Sequence, residues 1–329
     1  MTELRQDYLT GRSVLLAEHR ADRPNEFAAA PNSAAQNLAD SAANCPFCPG
    51  HESITPPSVY TASDPAGHWR VRVVPNKFPA VALDEPLAPG AHEVIIESTR
   101  HVDRMASLSV DELADVLAAY RHRLNAWQSM GRFQYGLIFK NLGAPAGASL
   151  AHLHSQLIAL PAPPAPVAAE LSRAREHLAQ RGRCAYCDLI AAERQNADRI
   201  VLDRDGLIAF CPYASLQPGE VWLMPTTHES WFERSAATAA STVQSPPQSH
   251  SALASILHSL LVRIEAFLPR VAYNLLVRTT PWQADAARCG HWRIEILPRV
   301  NPLAGFELAT HIHINPIAPH RAAQQLRSS

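Results

Sequence analysis

Cys45-Pro-Phe-Cys48, then His101, then His152-Leu-His154, is repeated later in the chain as Cys184-Ala-Tyr-Cys187, then His228, then His291-Trp-Arg293. Each copy offers two thiolates and two imidazoles, with the C-x-x-C spacing that tetrahedral zinc prefers. The copies differ at one informative place. The first adds His154 two residues past a ligand candidate, where the second has Arg293. Such an asymmetric duplication suggests two metal-stapled half-domains, one of which carries a nucleophile.

The repeat extends outward from the ligands. Pro89-Gly90 leads into Glu93-Val94 and a short apolar run before His101, and Pro218-Gly219 leads into Glu220-Val221 before His228. In both copies the histidine falls eight residues after the glutamate, which reads as a turn followed by a strand. Leu113, Val116, Leu117, Tyr120, Leu124 and Trp127 then keep a helical rhythm behind a capping box of Ser109 and Glu112. Leu253, Ile256, Leu257, Leu260, Leu261, Ile264 and Leu268 do the same in the second copy, with Pro269 as the stop. Each half returns to strands at Tyr135-Gly-Leu-Ile-Phe139 and Tyr273-Asn-Leu-Leu-Val277. The predicted class is α+β, in two units covering residues 1–166 and 167–329. A proline-rich stretch from Pro161 to Pro166 joins them, and further connectors are expected at 28–44 and 236–251.

At 329 residues and 47% hydrophobic content, the chain can hold two ordinary cores. A formal net charge of −1 gives no footprint for nucleic acid or anionic lipid. No apolar run reaches membrane-spanning length, and the polar start is unlike a signal peptide. Six cysteines are compatible with disulfides in a secreted protein. Without a signal sequence, and with histidines beside them, reduced thiolates in a cytoplasmic zinc protein are the better reading. Cys211 and Cys289 are left as ordinary buried or near-site cysteines.

The segment Gly147-Ala-Ser149-Leu-Ala-His152-Leu-His154-Ser155-Gln156 resembles the active-site motif of the galactose-1-phosphate uridylyltransferase family of the histidine-triad superfamily, with its ADP-glucose phosphorylase branch. The likeness runs along nearly the whole chain, through Arg20-Ala-Asp-Arg23-Pro24, Val74-Pro-Asn76-Lys-Phe-Pro79, Phe139-Lys-Asn141 and Gly305-Phe306-Glu307. It implies two tandem histidine-triad-like halves with antiparallel sheets, helices packed on them, and one zinc site per half, about two zinc ions per chain. It implies Cys45, Cys48, His101 and His152 as ligands of the first metal and Cys184, Cys187, His228 and His291 as ligands of a structural second. His154 becomes the nucleophile that accepts a nucleotidyl group. Arg20, Arg23, Asn76, Asn141, Ser149, Ser155 and Gln156 would cradle the nucleotide. Phe306 and Glu307 would meet the sugar from the partner subunit of a homodimer.

Residue chemistry supports these roles separately. An imidazole attacks phosphorus well at neutral pH and leaves readily, splitting one displacement into two. The expectation is ping-pong transfer between a nucleotide sugar and a sugar phosphate, with UDP-glucose:hexose-1-phosphate uridylyltransferase activity and a place in galactose metabolism. Glu307 suits sugar hydroxyls better than bare phosphate, which favours a hexose 1-phosphate acceptor. Leu153 and Ser155 depart from the transferases, which usually have proline and glycine there, while Ser155-Gln156 and Gly305-Phe306-Glu307 look more like the phosphorylase branch. ADP-glucose phosphorylase is therefore the alternative activity. A zinc-stapled nucleotide-binding protein and a histidine-triad hydrolase remain as readings from other classes.

Overall fold

A computed structural model describes residues 2–22, 42–235 and 252–329. Arg23, Pro24, residues 28–41 of the first expected connector and residues 236–251 lie outside them. The chain starts with β1 (Thr2–Gln6) and β2 (Ser13–Ala17), then builds β3 (Tyr60–Ser63), β4 (Trp69–Pro75), β5 (Ala91–Ile96), helix α1 (Val110–Ser129), β6 (Tyr135–Leu142) and β7 (His154–Leu160). The second half follows with α2 (Ala165–Arg181), α3 (Ala185–Asn196), β8 (Ile200–Arg204), β9 (Leu207–Phe210), β10 (Val221–Pro225), α4 (Ala252–Phe267), β11 (Tyr273–Arg278) and β12 (Arg293–Pro298). It ends with α5 (Gly305–Thr310), β13 (Ile312–Asn315) and α6 (Pro319–Ser328).

Five strands from each half join edge to edge in one ten-stranded sheet of order β3-β4-β5-β7-β6-β11-β12-β10-β9-β8. Read from either end, the two halves give the same order, and β6 pairs with β11 antiparallel at the seam, with Leu137 opposite Arg278 and Asn141 opposite Asn274. The sequence repeat is thus a structural one, related by an approximate two-fold through the seam. A separate three-stranded sheet pairs β2 antiparallel with β1 and parallel with β13, tying the start of the chain to its end.

Strand side chains alternate between faces, and the two faces are covered differently. On one face Ile95, Ile138, Leu157, Leu223, Leu275 and Ile294 meet α1 and α4 in one hydrophobic cluster shared by both halves. The rhythm in α1 buries Leu113, Val116, Leu117, Tyr120 and Leu124 against it, and Ser109 and Glu112 form the expected capping box. Helix α4 ends at Phe267, ahead of Pro269.

On the opposite face, the described residues of the first half form a small cluster of Cys45, Phe47, Val74, Val94 and Ile96. The second half is covered there by α2 and α3, whose Leu171, Ala174, Ala185, Tyr186 and Ile190 pack on Ile208, Phe210, Trp222 and Met224. The Pro161–Pro166 stretch is not polyproline throughout. Ala165 and Pro166 already belong to α2, where a first-turn proline gives up no intrahelical hydrogen bond. The expected division at 166/167 falls inside that helix.

Candidate active site and metal centres

The first ligand set gathers from three segments. Cys45 and Cys48 sit on a tight loop, with Cys48 N–H bonded to Cys45 O, His101 follows β5, and His152 precedes β7. The four ligand atoms lie within 4.8 Å of one another, as do those of Cys184, Cys187, His228 and His291. In the first set Cys45 and Cys48 Sγ are 3.6 and 3.5 Å from His152 Nδ1, and Cys48 Sγ is 3.3 Å from His101 Nδ1. Bond lengths of about 2.0–2.3 Å in a tetrahedron require ligand separations of roughly 3.3–3.8 Å, so the donors fit one ion.

The outer nitrogens fix the tautomers. His152 Nε2–H donates to Ser98 O at 2.8 Å and His291 Nε2–H to Pro225 O at 2.9 Å, equivalent positions in the two halves. Each bond leaves Nδ1 as the lone-pair nitrogen facing the thiols. Burial holds the His152 pKa down to about 4, so the ring is a neutral donor. His291 Nδ1 is buried with no hydrogen-bond partner, as expected of a metal ligand atom. In the second set the paired thiols share a charge: the bond to Cys187 lowers the Cys184 pKa, and the same bond raises that of Cys187.

His154 opens β7 on the sheet face that α2 and α3 leave uncovered in this half. Its Nδ1–H donates to His152 O at 2.8 Å, which leaves Nε2 as the lone-pair nitrogen. Phe47 packs against the ring, with centroids 5.2 Å apart. Burial, with Lys140 as a smaller cause, lowers the His154 pKa, so the imidazole is neutral at ordinary pH. The His154 ring is thus held twice, by the carbonyl of His152 and by Phe47 of the Cys45–Cys48 loop.

Gln156, two residues on, shares this face, while Ser155 points the other way. Ser155 is buried, its hydroxyl bonded to Glu97 and 2.6 Å from the Tyr120 hydroxyl on α1. Strand alternation thus places the side chain of Ser155, expected as a phosphoryl donor, in the helix-side core and not beside His154 and Gln156. Lys140 completes that buried group, bonding Glu97 and donating to His154 O at 3.0 Å. Neither Glu97, Lys140 nor Tyr120 was among the expected site residues. A lysine inside the apolar run Leu137-Ile-Phe-Lys140 was the available signal.

Asn76 follows β4 and Asn141 lies on β6. Phe139 pairs with Gln156, and continuing that register by two residues brings Asn141 level with His154. Asn141 Oδ1 accepts from Asn274 Nδ2 at 2.8 Å, which turns its amide nitrogen toward Gly147. Gly143 and Gly147 both have positive φ, at 83° and 90°, so the loop that carries exposed Ser149 depends on residues without a Cβ. Arg20 is exposed in a 3-10 turn at Glu18–Asp22. Phe306 is 43% exposed on α5, and Glu307 accepts the Ala304 N–H at the start of the same helix. No described contact joins these three residues to His154.

The second half shows why it has no counterpart nucleophile. Arg293, equivalent to His154, donates to Glu170 of α2 at 2.7 Å, and Arg278 donates to the same carboxylate at 3.0 Å. Arg293 and Arg12 also bond Glu295 at 2.7 Å each, and Arg12 bonds Glu220 at 3.1 Å. Burial alone would raise the Glu170 pKa, but Arg293 and Arg278 overcome it and hold the carboxyl low. Among the described residues, a helix and a fixed carboxylate occupy the position on this face that no helix occupies beside His154.

A family model described as "Domain of unknown function (DUF4921)" matches residues 74–329. ADP-glucose phosphorylase of Arabidopsis thaliana is 29% identical over 99% of this chain and 92% of its own length. A crystal structure of that plant enzyme with bound ADP-glucose superposes with a TM-score of 0.83 at 28% identity, covering 100% of this chain and 99% of the other. Galactose-1-phosphate uridylyltransferase of Thermotoga maritima is 21% identical over 100% of this chain and 99% of its own.

Proposed function

The chain belongs to the family described as a domain of unknown function (DUF4921), and from that premise we propose that it is a nucleotidyltransferase working through a nucleotidyl-His154 intermediate on a nucleotide sugar. The observation that carries this reading is the hydrogen bond from His154 Nδ1 to His152 O, which leaves Nε2 as the lone-pair nitrogen on the sheet face opposite α1. Nε2 attacks the phosphorus that bears the nucleoside. The P–O bond to the sugar phosphate breaks, and sugar 1-phosphate leaves with that oxygen. An acceptor oxygen then displaces His154 from the same phosphorus and restores the imidazole. Gln156, Asn141 and Ser149 supply neutral donors toward the phosphoryl oxygens. Zinc in the first ligand set would lock the start of β7, which aims His154, and zinc in the second would lock the equivalent start of β12, neither taking part in the displacement.

We favour an adenylyl donor and inorganic phosphate as acceptor, in place of the hexose 1-phosphate expected from Glu307. Support comes from the end-to-end similarity to the plant phosphorylase and from the phosphorylase-like Ser155-Gln156 after the second histidine. The balanced reaction is ADP-glucose plus phosphate giving ADP plus glucose 1-phosphate. Glu307 is the specific residue favouring the second reading, uridylyl transfer to a hexose 1-phosphate, with Phe306 and Glu307 contributed across a homodimer. Initial rates with ADP-glucose and phosphate, set against UDP-glucose and galactose 1-phosphate, separate the two. A higher kcat/KM for the uridylyl pair overturns the phosphorylase reading. His154→Asn should abolish both and form no nucleotidyl-enzyme, and normal turnover by it would exclude the mechanism.

A further inference from the structure

We infer that His92 is a positioning residue for nucleotidyl transfer, fixing which end of the Gln156 carboxamide faces the nucleophile. The inference rests on the reading above, that Gln156 meets a phosphoryl oxygen. His92 lies on β5 next to β7, opposite Ile158, and its ring is half-buried on the face that carries His154 and Gln156.

Hydrogen-bond direction settles the arrangement. The backbone N–H of Ala80 donates to His92 Nδ1 at 3.0 Å. An amide nitrogen only donates, so Nδ1 carries no proton and the neutral ring carries it on Nε2. His92 Nε2 has two neighbours, Gln156 Oε1 at 2.8 Å and Asn76 Nδ2 at 3.1 Å. Only the carbonyl oxygen accepts, and the Asn76 amide is itself oriented by the Phe78 N–H bonding its Oδ1 at 2.8 Å. The proton on Nε2 therefore goes to Gln156 Oε1. The Gln156 NH2 group is left pointing away from His92, free to donate to an anion.

His154 and Gln156 stand at i and i+2 on one strand face, about 7 Å apart along β7. A phosphoryl group attacked by His154 lies within reach of a side chain on that row. With the opposite amide orientation Gln156 would present a carbonyl oxygen to the phosphate and repel it. His92 also joins two segments: the Asn76–Ala80 loop, where Phe78 is 83% exposed, and the strand of the nucleophile. Order in that loop is thereby coupled to the orientation of the donor.

The test is a double-mutant cycle on formation of the nucleotidyl-enzyme from ADP-glucose labelled at the phosphorus bearing adenosine, in single turnover with the metal-loaded protein. Gln156→Ala is expected to slow this step about a hundredfold as an oxyanion donor is lost. His92→Phe, which keeps an aromatic ring but no hydrogen bonds, should slow it about tenfold. The double variant should be no slower than Gln156→Ala. His92→Asn retains an acceptor for Ala80 without the donor to Gln156, and should resemble His92→Phe in rate while keeping the wild-type melting temperature. Multiplying losses in the double variant, wild-type rate in His92→Asn, or slowing of both His92 variants in step with lost thermal stability would each overturn the inference. A wild-type protein that forms no nucleotidyl-enzyme from ADP- or UDP-glucose fails at the earlier reading, a result distinct from all of these.

Discussion

Replacing Lys140 by methionine should be among the most damaging changes of a residue outside the metal and nucleophile sets. Lys140 is 1% exposed and Glu97, its ion-pair partner, also lies in the interior at 1%. Glu97 Oε1 keeps the Tyr120 and Ser155 hydroxyls after the change, but among the described residues Oε2 bonds only Lys140. Breaking a buried pair from one side costs about 3–5 kcal/mol, and the two retained donors place this site near the low end, about 3 kcal/mol. With an unfolding entropy of about 2.1 cal/mol/K per residue, a 329-residue chain loses roughly 4 °C in Tm for that cost. Calorimetry on Lys140→Met, and on Lys140→Met combined with Glu97→Gln, checks the reasoning. The double variant should recover a large part of the loss, because it removes the stranded charge. A Tm change under about 1 °C for Lys140→Met, or a double variant as unstable as the single, would refute it. Nucleotidyl transfer should also slow in Lys140→Met below its Tm, since His154 O loses its buried donor.

Elemental analysis should find about two zinc-like ions per chain, and Cys45→Ser and Cys184→Ser should each remove about one and lower Tm, because metal binding contributes folding free energy; disulfides and no metal in fresh protein would refute this. For Glu170, Arg293 and Arg278 hold the folded-state pKa below the ordinary value of 4.5, so its stabilisation is present above that value and is lost as pH falls through the window beneath it. Glu170→Gln should therefore lower the urea midpoint at pH 7 but flatten the decline between pH ~4.5 and ~3, by at most about 1.4 kcal/mol per pH unit. An unchanged acid slope would sink that assignment.

The ligand sets, the helix with its Ser109 cap and the spare His154 were legible in the sequence because their causes are local or chemical. C-x-x-C spacing, a capping box and a 3.6-residue rhythm each act over a few positions. The two equivalent halves were legible for the same reason, as a repeated order of motifs. What the sequence left undecided was which side each strand residue faces and what covers it. Ser155 and Gln156 are neighbours, yet pairing with β5 and β6 sends one to Tyr120 and the other to His92. Glu97 meets Lys140 across 43 residues, and Glu170 meets Arg293 across 123. Those partners are set by strand register and by the packing of α2, which sum interactions over the whole sheet. The tertiary structure alone therefore decided that β6 and β11 fuse the halves into one sheet. It also decided that a carboxylate closes the second half's face while the equivalent face around His154 stays uncovered by α2 and α3.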